Sequence, residues 1–329
     1  MKTISLLALV LVLNDLATAA VDKPYELPTA RLTIKTVHEN GEPVSGVRVK
    51  HAFLDPVSRS PAPVEGLTDA QGLFVSQGSC ASVLGGRIQK DGYYDGGFPF
   101  TPYLEAKDGK WQPWDVIYTS VMRRIENPIP MYARKVFLHV PQVGKPCGFD
   151  LKECDWVAPW GKGLVPDFVF TLNCAYTNFN HQDVSMKLTF SNPLDGIQPA
   201  NLPKEYAYST FIWHRQAPET GYLDNYQMEF GLPDKGFKIP DVSKIRAVEE
   251  VEALKYYFRV RTIVKDGQIV SALYGKLSQG FFIGAMSSTD VNVRTCYYLN
   301  PKPLDRNMEF DLKQNLFKNL KFAEQPRKP

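Results

Sequence analysis

Apolar and polar positions alternate with a period of two along most of this chain, the spacing of strands that bury one face. Leu32 and Ile34 fall on one side of a strand over Arg31 to Val37; Val47, Val49 and Phe53 do so over Val47 to Phe53. His51 shares that inward parity and is expected to be a hydrogen-bonded core residue. Further strands are predicted at Leu73 to Val75, Gly86 to Gln89, Trp114 to Met122 and Val136 to Val140, with residues 54 to 66 a Pro- and Ser-containing loop. Asn40-Gly41-Glu42-Pro43 and Asp69-Ala70-Gln71-Gly72 supply residues that tolerate positive φ or fix φ, as turns require.

Pro141 to Pro146 reads as a domain boundary, after which the alternation returns. Phe168, Phe170 and Leu172, then Met186, Leu188 and Phe190, then Tyr256, Phe258 and Val260 keep the same period, as do Val291 with Val293 and Met308, Phe310 and Leu312. Lys265-Asp266-Gly267-Gln268 joins two such runs as a hairpin. Val248 to Lys255 is helix-like, and Asn315 to Leu320 reads as a helical turn. The expectation is an all-β protein of two tandem antiparallel β-sandwich domains, residues 20–142 and 143–322, followed by a disordered tail over 323–329.

Lys2 precedes an apolar run from Ile4 to Leu13, and Ala17-Thr18-Ala19 follows at a cleavage position. That run is too short to span a bilayer, so residues 1–19 read as a cleaved signal peptide. A secreted or periplasmic product without a membrane span in the mature chain is expected. A net charge of +3, with both signs interspersed, excludes the basic footprint that nucleic acid requires. Five cysteines are an odd number. Cys147 and Cys154 flank a short loop, and export to an oxidising compartment predicts a bridge between them. Cys174 is in phase with Phe168, Phe170 and Leu172, whereas Cys296 is in phase with Asn292, Arg294 and Tyr298, which argues against pairing those two.

Two stretches carry candidate chemistry. Between Tyr93 and Trp114, seven aromatic residues occur in twenty-two positions. Tyr93, Tyr94, Trp111 and Trp114 are the candidates for stacking on sugar rings; the competing expectation is that a connection this long packs its rings onto its own domain. At the expected junction, Asp150, Glu153 and Asp155 lie beside Trp156 and Trp160, and carboxylates there are the candidates for a cation site or an acid and base pair. The Asp-x-Asp-x-Asp-Gly spacing of a calcium loop is missing, and Gly161-Lys162-Gly163 lacks the rest of a phosphate loop. No Gly-x-Ser-x-Gly elbow, His-Glu-x-x-His pair or Gly-x-Gly-x-x-Gly turn occurs, so no metal and no cofactor is expected.

Asn40 to Val49 and Thr68 to Phe74, extended by Lys90-Asp91-Gly92-Tyr93-Tyr94, resemble the carboxypeptidase-regulatory-like family, Greek-key sandwiches related to transthyretin. The resemblance covers roughly residues 28 to 140 and implies an accessory module with no catalytic residues. Asn127-Pro128-Ile129-Pro130-Met131-Tyr132-Ala133, the segment Asp155 to Gly163, and Asn307 to Asp311 are similar to uncharacterised secreted proteins of environmental bacteria, the verrucomicrobial ones among them. Together these features predict a non-catalytic binding or surface-structural protein whose partner is polysaccharide or another surface protein. The alternative is an extracytoplasmic, glycosidase-like hydrolase with its carboxylates near the junction, since such enzymes leave no short motif.

Overall fold

A computed structural model describes residues 27–55, 60–101, 103, 105–232, 236–239, 242–245 and 253–329. The expected signal peptide and most of the helix-like stretch at Val248 to Lys255 lie outside the described residues. The fold is all-β, and among the described residues no helix is long and apolar enough to cross a membrane. The chain divides into two compact units, one ending at Arg123 and one starting at Arg124.

In the first unit the strands are β1 (Thr29–Val37), β2 (Arg48–Leu54), β3 (Pro61–Leu67), β4 (Leu73–Ser79), β5 (Ser82–Gln89), β6 (Gly96–Phe98), β7 (Glu105–Lys107), β8 (Lys110–Gln112) and β9 (Val116–Val121). One sheet has the order β4-β1-β8-β7, with β9 also on β1; the other runs β3-β2-β5-β6. Leu32 and Ile34 from the first sheet meet Val49, Val83 and Ile88 from the second, with Val47 from just before β2, in one core, as the alternation predicts. Two expectations are corrected here. Residues 61–67, read as loop because of their prolines, form edge strand β3, where a missing N–H is tolerated. The pairing is not wholly antiparallel, because β1 runs parallel to β8 and β9.

The second unit comprises β10 (Ile129–His139), β11 (Cys147–Asp150), β12 (Asp155–Trp156), β13 (Phe168–Asn178), β14 (His181–Thr189), β15 (Gly196–Pro199), β16 (Asn225–Leu232), β17 (Gly236–Ile239), β18 (Val242–Ile245), β19 (Tyr256–Lys265), β20 (Gln268–Ala285), β21 (Val291–Leu299) and β22 (Phe310–Asn315). A seven-stranded sheet, β12-β11-β13-β14-β16-β17-β18, faces a six-stranded one, β15-β19-β20-β21-β10-β22. Phe168, Phe170, Met186, Leu188 and Met228 of the former pack with Phe258, Leu277, Phe281 and Val293 of the latter. The outer face of the six-stranded sheet is covered by chain from the 200–224 excursion and from the C-terminal segment. There the Lys276 amine donates to Met308 O (2.6 Å) and lies over the rings of Trp213 (5.1 Å) and Tyr298 (4.8 Å).

The boundary therefore falls at Arg123 and not at residue 142. The strand expected to close the first domain is β10, which pairs antiparallel with β21 and parallel with β22 in the second unit. Its odd-numbered residues Met131 and Ala133 fill a small outer cluster with Cys296, Tyr298 and Phe310. The tail is also corrected, because 323–329 is docked and not disordered. Glu324 pairs with Arg134 (2.7 Å), Tyr298 Oη donates to Lys328 O (2.8 Å), and Arg327 lies over Phe322 (4.3 Å).

All five cysteines are free. Cys147 opens β11 and its thiol faces the carbonyls of Gln142 and Lys145, whereas Cys154 follows the turn beyond the strand's far end, beside Tyr297 and Arg134. An extended run from Cys147 to Asp150 covers about 10 Å, so the two thiols are held apart by the strand between them.

Candidate functional site

The sequence-predicted carboxylates lie within the second unit, and two of the three are consumed in shaping one loop. Asp150 is buried. Its Oδ1 accepts N–H bonds from Lys152 (2.8 Å) and Glu153 (3.2 Å), and its Oδ2 accepts them from Leu164 and Val165 (2.9 Å each). Arg261 adds an ion pair to Asp150 Oδ1 (2.8 Å) and donates through Nε and Nη2 to Asp167 (2.7 and 2.8 Å), a buried carboxylate outside the sequence-predicted set. Burial by itself would raise the Asp150 carboxyl; the four backbone donors outweigh it and hold the group below the usual carboxylate range.

Asp155 accepts from Trp156 N (2.8 Å) and Lys162 N (2.9 Å), which wraps the glycine pair over it. A Cβ on Gly161 would stand 2.3 Å from Trp156 O, so these glycines permit a close backbone approach. Trp156 is buried edge-on against Phe149 and Phe170. Glu153 and Trp160 are exposed. Acid and base work needs a carboxylate with an open lone pair facing a cleft; Asp150 and Asp155 face their own backbone.

The aromatic candidates fall into two pairs. Trp111 donates its indole N–H to Cys80 O (2.6 Å) and stacks on Tyr103 (centroids 5.6 Å apart), while Trp114 carries Lys110 over its ring (5.1 Å). Tyr94 is buried with its N–H on Arg123 O, and Tyr93 packs on His38 (5.8 Å). The tryptophans lie by the start of β1, where Thr29 pairs with Lys110; the tyrosines lie by its end, beyond Val37. Nine extended residues put roughly 30 Å between them, too far for one platform. His51 is a core residue as expected, bonded to Ser76 Oγ (2.8 Å) among Phe53, Phe74 and Phe98.

A site that sequence reasoning missed lies on the outer face of the seven-stranded sheet. Phe170, Leu172, Val184, Met186 and Met228 point into the core, so Asn173, Ala175, Asp183, Ser185, Glu229 and Gly231 point out. The register sets these in two rows across the strands. Asn173, Ser185, Glu229 and Lys238 are successive partners, and beside them run Ala175, Asp183, Gly231 and Gly236. The small residues of the second row leave a depression, and the longer polar side chains of the first stand along it. The resulting trough has a volume of about 620 Å³. Lys238 reaches its register partner Glu229 along the first row (3.4 Å). Amide, hydroxyl, ammonium and carboxylate groups thus repeat at interstrand spacing, about 4.8 Å, on one open surface.

No family model matches the chain, and no curated protein matches it. Among solved structures it is similar to a protein from Bacteroides uniformis ATCC 8492 described as a putative carbohydrate binding protein. That likeness covers 82% of this chain and 98% of the other, at 10% identity and a TM-score of 0.21, values at which it carries no argument about fold or activity.

Proposed function

We propose that this is a binding protein whose ligand, a hydroxyl-rich saccharide, lies in the trough across β13, β14, β16 and β17. The observation that carries this reading is the in-register row Asn173, Ser185, Glu229 and Lys238 beside the depression at Ala175 and Gly231. A saccharide offers hydroxyls that both donate and accept, and this row answers with acceptors, donors and groups that are both. Its charges, Asp183 and Glu229 against Lys238, leave one net negative charge, which disfavours an anionic ligand and admits a neutral polar one. Export by residues 1–19 would bring such a protein to polysaccharide outside the cytoplasm. In this reading the first unit is an accessory module of the carboxypeptidase-regulatory-like kind.

The test is a glycan array on the mature protein, followed by titration of the best neutral ligand against a variant carrying Asp183→Asn and Glu229→Gln. Expected is a loss of tenfold or more in affinity, about 1.4 kcal/mol, at an unchanged Tm, because both side chains lie outside the core. Undiminished affinity in that variant refutes the trough.

A further inference from the structure

Ile197 and Leu223 exchange both backbone hydrogen bonds (2.9 Å each), which joins edge strand β15 of the six-stranded sheet to the chain entering β16 of the seven-stranded one. Beyond that bridge the sheets part. β17 meets β16 over Glu229 to Gly231, so Asn225 to Met228 keep an edge that β17 does not cover. A crevice of about 170 Å³ opens between that edge and β15. At about 30 Å³ for each water it holds roughly five or six, room for one small group and not for a chain of sugars.

Tyr226 and Tyr256 border the crevice and are themselves 7% and 4% exposed. Their rings meet edge-on (centroids 5.3 Å apart) and their hydroxyls bond to one another (3.2 Å). Burial raises both phenols, so both keep their protons. A phenol has one hydrogen to give. Whichever hydroxyl donates within the pair, the other's hydrogen has no acceptor among the described residues. A buried donor is costly to leave unpaired, and this one belongs to a pair that borders an open space.

The amides at the crevice have the opposite bias. Gln198 gives an amide hydrogen to Thr220 O (2.9 Å) and Asn225 gives one to Asp224 Oδ1 (2.7 Å), which leaves their carbonyl oxygens as acceptors. Pro199 and the exposed Leu223 add apolar surface, and no charged side chain lines the crevice among the described residues. A spare donor, two acceptors and an apolar wall match a neutral secondary amide that carries a methyl group. An ion would find no counter-charge here, and a lone hydroxyl would leave the apolar wall uncovered.

We propose that this crevice binds the acetamido group of an N-acetylated amino sugar, its carbonyl on the spare tyrosine hydrogen, its N–H on Gln198 or Asn225, and its methyl on Leu223 and Pro199. The choice of a sugar as carrier rests on the saccharide reading above; the demand for an amide rests on the crevice alone.

The test is calorimetric titration with N,N′-diacetylchitobiose and with cellobiose, which has hydroxyls in place of the acetamido groups, and with N-methylacetamide as competitor. Diacetylchitobiose is expected to bind about tenfold or more tightly than cellobiose and to lose that advantage when N-methylacetamide is in excess. Its affinity should be equal at about 50 and 500 mM salt, since the ligand is uncharged. Tyr226→Phe combined with Tyr256→Phe keeps both rings and removes both hydroxyls, so Tm should hold while affinity falls about tenfold or more. Leu223→Ala, at a side chain 56% exposed, is expected to weaken binding about threefold without touching the fold. Asp183→Asn with Glu229→Gln is expected to leave the advantage of diacetylchitobiose over cellobiose as it is in the native chain, so failure of the trough leaves this crevice standing. Binding of neither disaccharide, equal binding of both, no displacement by the amide, or native affinity in either crevice variant overturns the proposal.

Discussion

Trp111 and Asp150 were both candidates for chemistry, and each has its polar atoms committed to the backbone. Replacing Trp111 with Ala removes a half-buried ring, its stack on Tyr103 and its bond to Cys80 O. A loss of about 2–4 kcal/mol is expected, read as a lower urea midpoint. Trp114→Ala is expected to cost under about 1 kcal/mol, the size of its cation–π contact with Lys110. Asp150→Ala leaves Arg261 and four backbone donors facing a void and is expected to cost about 3–5 kcal/mol. Because the folded Asp150 carboxyl lies below its unfolded value of about 3.9, the stability it contributes is complete above that pH. It drains away as pH falls through the folded value. A urea-midpoint series from pH 5 to pH 2 should show a steeper acid limb in the native chain than in Asp150→Asn; parallel limbs would refute the assignment. At this scale the parity of Leu32, Phe170 or Val293 was legible from alternation alone. Cys174 and Cys296 were also read onto different faces, and they pack in different clusters. What alternation cannot register is a bond such as Trp111 to Cys80, made across thirty-one positions by tertiary packing.

Strands were easier to find in the sequence than to assign to a sheet. β10 was placed in the wrong unit because Val136 to Val140 reads the same whatever strand lies beside it; its partners, β21 and β22, are far along the chain. β3 was missed because prolines count against strand propensity, although an edge admits them. The docked tail ends in charged residues and prolines, a composition that resembles disorder until Arg134 and Tyr298 supply its contacts. A chain beginning at residue 124 should unfold in one cooperative urea transition, followed by Trp fluorescence. One beginning at residue 143 lacks β10 and should show none, its six-stranded sheet having lost the strand between β21 and β22. Equal cooperativity in both would return the boundary to Pro141–Pro146.

For the whole molecule, three buried thiols (Cys80, Cys147 and Cys296) and two half-buried ones (Cys154 and Cys174) replace the expected bridge. Burial pushes Cys80 up to about 11 and raises Cys147, Cys154, Cys174 and Cys296 as well, which keeps the reactive thiolate scarce near neutral pH. Alkylation followed by mass spectrometry should label the native protein slowly and add five groups in urea without reductant; three would reveal a bridge. Tm should not respond to dithiothreitol. The trough was invisible in sequence for a related reason of distance. Asn173, Ser185 and Glu229 each read as an ordinary outward polar position, and only the register makes them neighbours. β10 has its own bearing on how the protein is made. The earliest strand of the second unit waits for the latest two, so during synthesis a ribosome must add about 150 further residues before that strand finds either neighbour. Until then a nascent chain carries an unsatisfied strand, and the unit closes only after the ribosome has passed β22.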